Sequence, residues 1–177
     1  MNRPLRAEPL TAAAFEPFGS VIQTEGNTCH PINDGTTDRY HRLAVASALP
    51  VAGESPSSAR VIISLFEARP CVLPAAIETM ERHPLGSQAF MPLDPRPWLI
   101  VVAPPGSSPQ PGDLRAFVAT SRQGINYAAG VWHHPLLVLN GVSRFLVVDR
   151  EGEGSNCDAI SLGESVSVDL QQGVHHD

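Results

Sequence analysis

Two stretches of this 177-residue chain gather side chains that exchange protons or hold ligands. The first, Glu78-Thr79-Met80-Glu81-Arg82-His83-Pro84-Leu85-Gly86-Ser87-Gln88-Ala89-Phe90, packs four ionisable groups and an amide into two strand-length pieces. Residues two apart on a strand share a face, so Glu81 and His83 are expected to point one way. Arg82 then points the other way unless the strand is bulged. The turn at Pro84 to Gly86 returns the chain and brings Gln88 alongside on the next strand. The second stretch is Gly124-Ile125-Asn126-Tyr127-Ala128-Ala129-Gly130-Val131-Trp132-His133-His134-Pro135. Gly130 permits a tight bend, and adjacent histidines on an extended segment face opposite sides, so at most one enters an interior. His133 is the one expected inside; His134, held extended by Pro135, is expected at the rim. An imidazole titrating near neutrality beside a carboxylate is a ready general acid and base.

The elements that must position these groups are short. Apolar runs are broken by Gly, Pro, Ser and Asn, the pattern of a sandwich or barrel of many strands. The expected strands are Ser20 to Gln23, His41 to Ser47, Arg60 to Ala68, Ala76 to Arg82, Ser87 to Leu93, Trp98 to Ala103, Arg115 to Thr120, Leu136 to Leu139, Arg144 to Asp149 and Ser165 to Leu170. Thr11 caps one short helix over Ala12 to Phe15, closed by Pro17 and Gly19 and lying outside the sheet. Pro50 to Ser58 and Pro104 to Gly112 read as surface loops. The fold class is all-β, a jelly-roll barrel with one or two short peripheral helices, in a single domain spanning 1–177. Polar side chains pointing into such a barrel cost about 1–3 kcal/mol each when unpaired, so those that do point inward mark a ligand or metal.

Composition narrows the chemistry further. All 12 basic residues are Arg, and a chain without Lys has neither a Schiff-base lysine nor a P-loop lysine. A net charge of −6 with no Arg-rich stretch argues against nucleic acid as a partner. The first residues carry no apolar signal core, and the longest greasy run, Trp98 to Ala103, is too short to cross a bilayer, so a cytoplasmic protein with no membrane partner is expected. Cys29, Cys71 and Cys157 are widely spaced, which suggests three reduced thiols without a nucleophilic role. His175 and His176 close the chain in a polar tail.

E-R-H-P-L-G-S-Q-A-F-M-P-L, followed some forty residues later by Q-G-I-N-Y-A-A-G-V-W-H-H-P-L, resembles the ureidoglycolate lyase family. Supporting stretches are Phe15-Glu16-Pro17-Phe18-Gly19, Ile32-Asn33-Asp34-Gly35 with Arg39-Tyr40, and Val147-Val148-Asp149-Arg150, so the resemblance covers most of the chain. It implies a cupin-type β-barrel, a homodimer, and cleavage of (S)-ureidoglycolate to glyoxylate and urea in allantoin and purine nitrogen catabolism, with nickel or another divalent metal as cofactor. Against the general cupin pattern of two His and one Glu joined by a later His, the matching positions are Glu81, His83, Gln88 and His133. Two of these are imidazoles, and Gln is a weak ligand. The second cupin stretch departs from the pattern at Ala128 and Leu137, where Pro and Asn are usual.

For that substrate, His133 or His83 is the expected base, with Glu81 or a bound water returning the proton. Arg39, Arg82 and Arg115 are candidates to hold the carboxylate through a guanidinium fork, and Arg39 is favoured because it shares a polar loop with Asn33 and Tyr40. Gln88, Tyr127 and Trp132 are expected to contact the substrate or wall its pocket. Two other readings remain open: hydrolysis of the ureido amide with release of ammonia, and a non-catalytic cupin that binds a small carboxylate.

Overall fold

The computed structural model describes residues 4–170. In chain order the elements are β1 (Leu5–Pro9), α1 (Ala12–Phe15), β2 (Gly19–Ile22), β3 (His30–Ile32), β4 (Thr37–Arg39), β5 (Ala59–Ala68), β6 (Ala75–Arg82), β7 (Gln88–Pro92), β8 (Trp98–Ala103), β9 (Arg115–Ala119), β10 (Gly124–Tyr127), β11 (Trp132–His133), β12 (Leu137–Val138), β13 (Ser143–Gly152) and β14 (Asp158–Leu170). Because β11 pairs with both β6 and β8, the strands β11-β6-β14-β1-β9-β8 close into a six-stranded barrel, with β12 added beside β8. A five-stranded sheet, β2-β10-β7-β13-β5, packs over one side. The all-β, cupin-like expectation holds.

Strand β8 shows how the two layers are held. All six of its residues are buried, and they alternate between two cores. Trp98, Ile100 and Val102 meet Phe90, Tyr127 and Phe145 between barrel and sheet. Leu99, Val101 and Ala103 meet Ile77, Met80 and Trp132 inside the barrel. A strand covered on both faces carries a continuous apolar run, which is why this segment is the greasiest in the chain. Helix α1 lies outside the sheets, but it is no bystander. Thr11 caps it by accepting from the Ala14 amide at 3.2 Å, and Phe15 and Phe18 plug the end of the inter-layer core against Phe117.

Several expected elements are corrected. His41 to Ser47 forms no strand: its polar groups are taken up by side chains of the layer it crosses, with Asn126 Nδ2 donating to the Val45 carbonyl and the Ser47 amide donating to Ser87 Oγ. Leu5–Pro9 is a strand that pairs in parallel with both β14 and β9; its mixed polarity hides it, since Ala7 is fully buried between charged neighbours. Gly124–Tyr127 is likewise a full strand, and β14 begins at Asp158, ahead of the expected Ser165. The pair His175 and His176 lies outside the described residues. Among the described residues no helix is long and apolar enough to cross a membrane.

One irregularity aims the chemistry. Strands β6 and β14 pair in register from Ala75 to Ile77 and again from Thr79 to Arg82, with a bulge between. Ala75 and Ile77 point into the barrel, and beyond the bulge it is Met80 that does so. The step from 77 to 80 is odd, so the parity of the strand reverses. Without the bulge, alternation would send Glu81 and His83 into the apolar barrel; with it, they face the space between barrel and sheet.

Candidate active site

Each side chain in that space is fixed by a different element. On β6, Glu81 is the register partner of His133 on β11, and the His133 Nε2 to Glu81 Oε1 distance is 3.6 Å, too long for a hydrogen bond. His83 follows β6, and its ring centroid lies 5.2 Å from that of His133. The bend at Gly130 brings the two stretches together: the Gly130 amide donates to the His83 carbonyl at 2.9 Å, and Gly130 takes a φ of 79°, in the region that favours glycine. From the facing sheet, Gln88 on β7 pairs in register with Tyr127 on β10, and the Tyr127 ring stacks on His133 at 4.2 Å and 14°.

Both imidazoles are oriented in the same manner. His83 Nδ1 lies 2.6 Å from the Asn156 carbonyl and His133 Nδ1 lies 3.0 Å from the Val131 carbonyl. A carbonyl only accepts, so each Nδ1 carries a proton, and in the neutral ring the lone pair is on Nε2. Those Nε2 atoms are buried without a partner among the described residues, as are Gln88 Oε1 and Asp149 Oδ1. Burial holds the His133 imidazole down at about 3, against the raising effect of the Val131 carbonyl, so its ring is neutral at physiological pH. Burial likewise lowers His134 and raises the Tyr127 phenol, the latter helped by Glu81. Burial also pushes the Asp149 carboxyl up, opposed by His83 and the Gln88 amide.

Ligand atoms of Glu81, His83 and His133 lie within 4.8 Å of one another. Two imidazole lone pairs and a carboxylate, with each ring steadied through its far nitrogen, are a donor set that fits a borderline divalent cation, with Gln88 as a weak fourth ligand. Without a cation the same groups can accept and return a proton. They open into a cavity of about 470 Å³ whose wall includes Phe66, Phe90, Tyr127 and Leu136, with His134 at its edge. A second cavity of about 300 Å³ adjoins it, shares Gln88, and is lined by His83, Asp149 and Asn156.

Glu81, His83, Gln88, Tyr127 and His133 are thus brought together, whereas other expected residues stand elsewhere. Arg82 falls on the opposite face of β6, donates to Asp158 and to the Gly106 carbonyl, and lies 4.6 Å over the Trp132 ring. Trp132 itself belongs to the barrel interior and donates its Nε1–H to the Ser107 carbonyl. Parity explains both placements: each precedes or follows a cavity residue by one position. Arg115 is paired with Glu8 and packs over Phe117. Asn33, Arg39 and Tyr40 sit on or beside the β3–β4 hairpin, where Asn33 and Arg39 are exposed. Sequence reasoning gave Asp149 no role. The available signal was an acidic residue at even spacing from Phe145 and Val147, hence on the same inward face of β13.

A family profile described as ureidoglycolate lyase matches residues 2–169. A ureidoglycolate lyase of Azotobacter vinelandii is 52% identical over 170 residues, covering 96% of this chain and 99% of the relative. One of Stutzerimonas stutzeri is 53% identical over 173 residues, covering 96% and 98%. One of Pseudomonas paraeruginosa is 53% identical over 157 residues, covering 88% and 89%.

Proposed function

Because this chain belongs to the ureidoglycolate lyase family, we propose that it is a carbon–nitrogen lyase of the amidine-lyase type that splits (S)-ureidoglycolate into glyoxylate and urea, a step of allantoin and purine nitrogen catabolism. The observation that carries this reading is the convergence of two imidazole Nε2 atoms, on His83 and His133, with the Glu81 carboxylate within one cluster. Ureidoglycolate bears its hydroxyl and its ureido nitrogen on one carbon. An imidazole Nε2, of His133 or His83, takes the hydroxyl proton; the oxygen electrons form the aldehyde, and the C–N pair leaves on nitrogen. The proton held on that imidazole passes by way of Glu81, or a water it holds, to that nitrogen, so urea departs neutral and both side chains return to their starting state. Tyr127 keeps the His133 ring in plane by stacking, and the apolar cavity wall of Phe66, Phe90 and Leu136 limits water.

Glu81, His83, Gln88 and His133 are the residues that would hold a divalent metal, which we take to be nickel. When bound, it would supply Lewis acidity at the substrate oxygens. Arg39, with Asn33 and Tyr40, is proposed to hold the substrate carboxylate, a reading that rests on the chemistry of a guanidinium fork. A homodimer is part of the same proposal. Support comes from β5, an edge strand on which Ile63 is 72% and Leu65 is 69% exposed, an apolar edge that proteins ordinarily cover. A cytoplasmic location agrees with three unpaired cysteines. The test is incubation with (S)-ureidoglycolate and separate detection of glyoxylate, urea and ammonia. Glyoxylate and urea in equal amounts are expected; ammonia in place of urea would replace the lyase by an amidohydrolase, and no product at all would overturn the reading.

A further inference from the structure

The proton transfers above employ Glu81, His83 and His133; they leave the buried Asp149 carboxylate without a task, and Gln88 beside it with no more than the place of a weak metal ligand. Gln88 Oε1 and Asp149 Oδ1 are enclosed and have no partner among the described residues. They stand on neighbouring strands, since Ala89 of β7 is in register with Val148 of β13, and both face the smaller cavity beside His83. Leaving such acceptors dry and unpaired is costly, so a ligand with donors is what the space is shaped for. One acceptor is anionic, and Arg150, the cation in the same lining, directs its donors to the Leu49, Gly152 and Glu153 carbonyls, so the free acceptors favour a group presenting N–H bonds over a second carboxylate. Of the two ends of ureidoglycolate only the carbamoyl end offers N–H donors.

We propose that Asp149 and Gln88 form the subsite for the terminal carbamoyl group of the substrate, accepting its N–H bonds in the smaller cavity. This rests on the lyase reading. It fixes the direction in which the substrate lies: the ureido end enters beside Asp149, the carboxylate points into the larger cavity, and the reacting carbon falls at the junction, within reach of His83 and His133. Asp149 is then a specificity-determining residue that positions the departing nitrogen, and its carboxylate turns away acids that lack a carbamoyl group.

Two unreactive ligands separate the ends of the substrate. Ureidoacetate has the carboxylate and the carbamoyl group without the hydroxyl, and glycolate has the carboxylate and hydroxyl without the carbamoyl group. Titration calorimetry on the purified protein with its metal, wild type against Asp149→Asn and Gln88→Met, reads each affinity. Loss of a hydrogen bond to a charged group predicts that ureidoacetate binding weakens about tenfold to a hundredfold in Asp149→Asn. Glycolate binding is expected to stay within about twofold. Gln88→Met, judged on the same ratio of the two affinities, gives the answer if the Asp149 variant does not fold. An unchanged ratio in every variant that folds overturns the subsite. Product analysis on the wild type tests the lyase reading separately, and calorimetry needs no turnover, so either reading can fail without the other.

Discussion

His133→Phe separates a working imidazole from a core histidine. The ring is 2% exposed and stacked on Tyr127, and phenylalanine keeps that stacked shape and nearly the same volume. Two polar terms change, with opposite signs. Losing the Nδ1–H leaves the Val131 carbonyl unpaired, and losing the dry Nε2 removes a buried acceptor that had no partner; each is worth about 1–3 kcal/mol. They offset to within about 2 kcal/mol, which for a chain of this size moves the melting temperature by less than about 8 °C. The chemistry has no such compensation. Removing a positioned general base or ligand lowers turnover by about 10²–10⁴-fold. Differential scanning calorimetry and a glyoxylate assay on the same preparation read both numbers. A variant that keeps more than about a tenth of wild-type kcat/KM would show that the Nε2 lone pair is not used, and the acid-base argument would fall.

Arg82→Met should leave glyoxylate production within about twofold while costing about 1–2 kcal/mol in urea denaturation, because the side chain serves Trp132 and Asp158 on the face away from the cavity. Gly19→Ala should unfold the protein or cost more than about 4 kcal/mol by the same measurement, since an added Cβ would lie 2.0 Å from the Asn126 carbonyl oxygen at a φ of 144°. The Arg144 guanidinium holds the Asp94 carboxyl down at about 2, so this pair stabilises the fold fully above the ordinary carboxylate range and loses its effect as pH falls through 2. Asp94→Asn should therefore melt below the wild type at pH 7, and the two melting curves should converge by pH 2; a gap that stays constant with pH would contradict the pairing.

Much of the site was legible because strand periodicity is a strong constraint. Glu81 and His83 two apart, Gln88 across a turn, and one histidine of an adjacent pair are consequences of alternation, and the structure places them so. The same rule separates Arg82 and Trp132 from the cavity, where a guanidinium fork and an aromatic wall are expected from their chemistry alone. What alternation leaves open is which face of a strand meets which layer. That was decided by the bulge opposite Glu78, where four residues on β14 stand against one; their sequence, Leu162-Gly163-Glu164-Ser165, carries only a glycine as a hint. Asp149 escaped for a different reason: its meaning depends on Gln88 arriving from another strand, a long-range pairing that no local pattern encodes. His41 to Ser47 forms no strand because its backbone groups bond to side chains, Asn126 and Ser87, and not to a ladder, and its Val45 side chain stays exposed.

The barrel is a ring joined at its narrowest stave. Strand β11 is two residues long, and it alone holds β6 to β8 on that side. One of those two residues is His133. Any fluctuation that parts this seam wets the inner wall and disarms the molecule in one event, so amide exchange at positions 132 and 133 would count directly the fraction of enzyme out of service at each instant. A mutation that loosens the seam from a distance would surface as lost turnover well before it surfaced as lost structure.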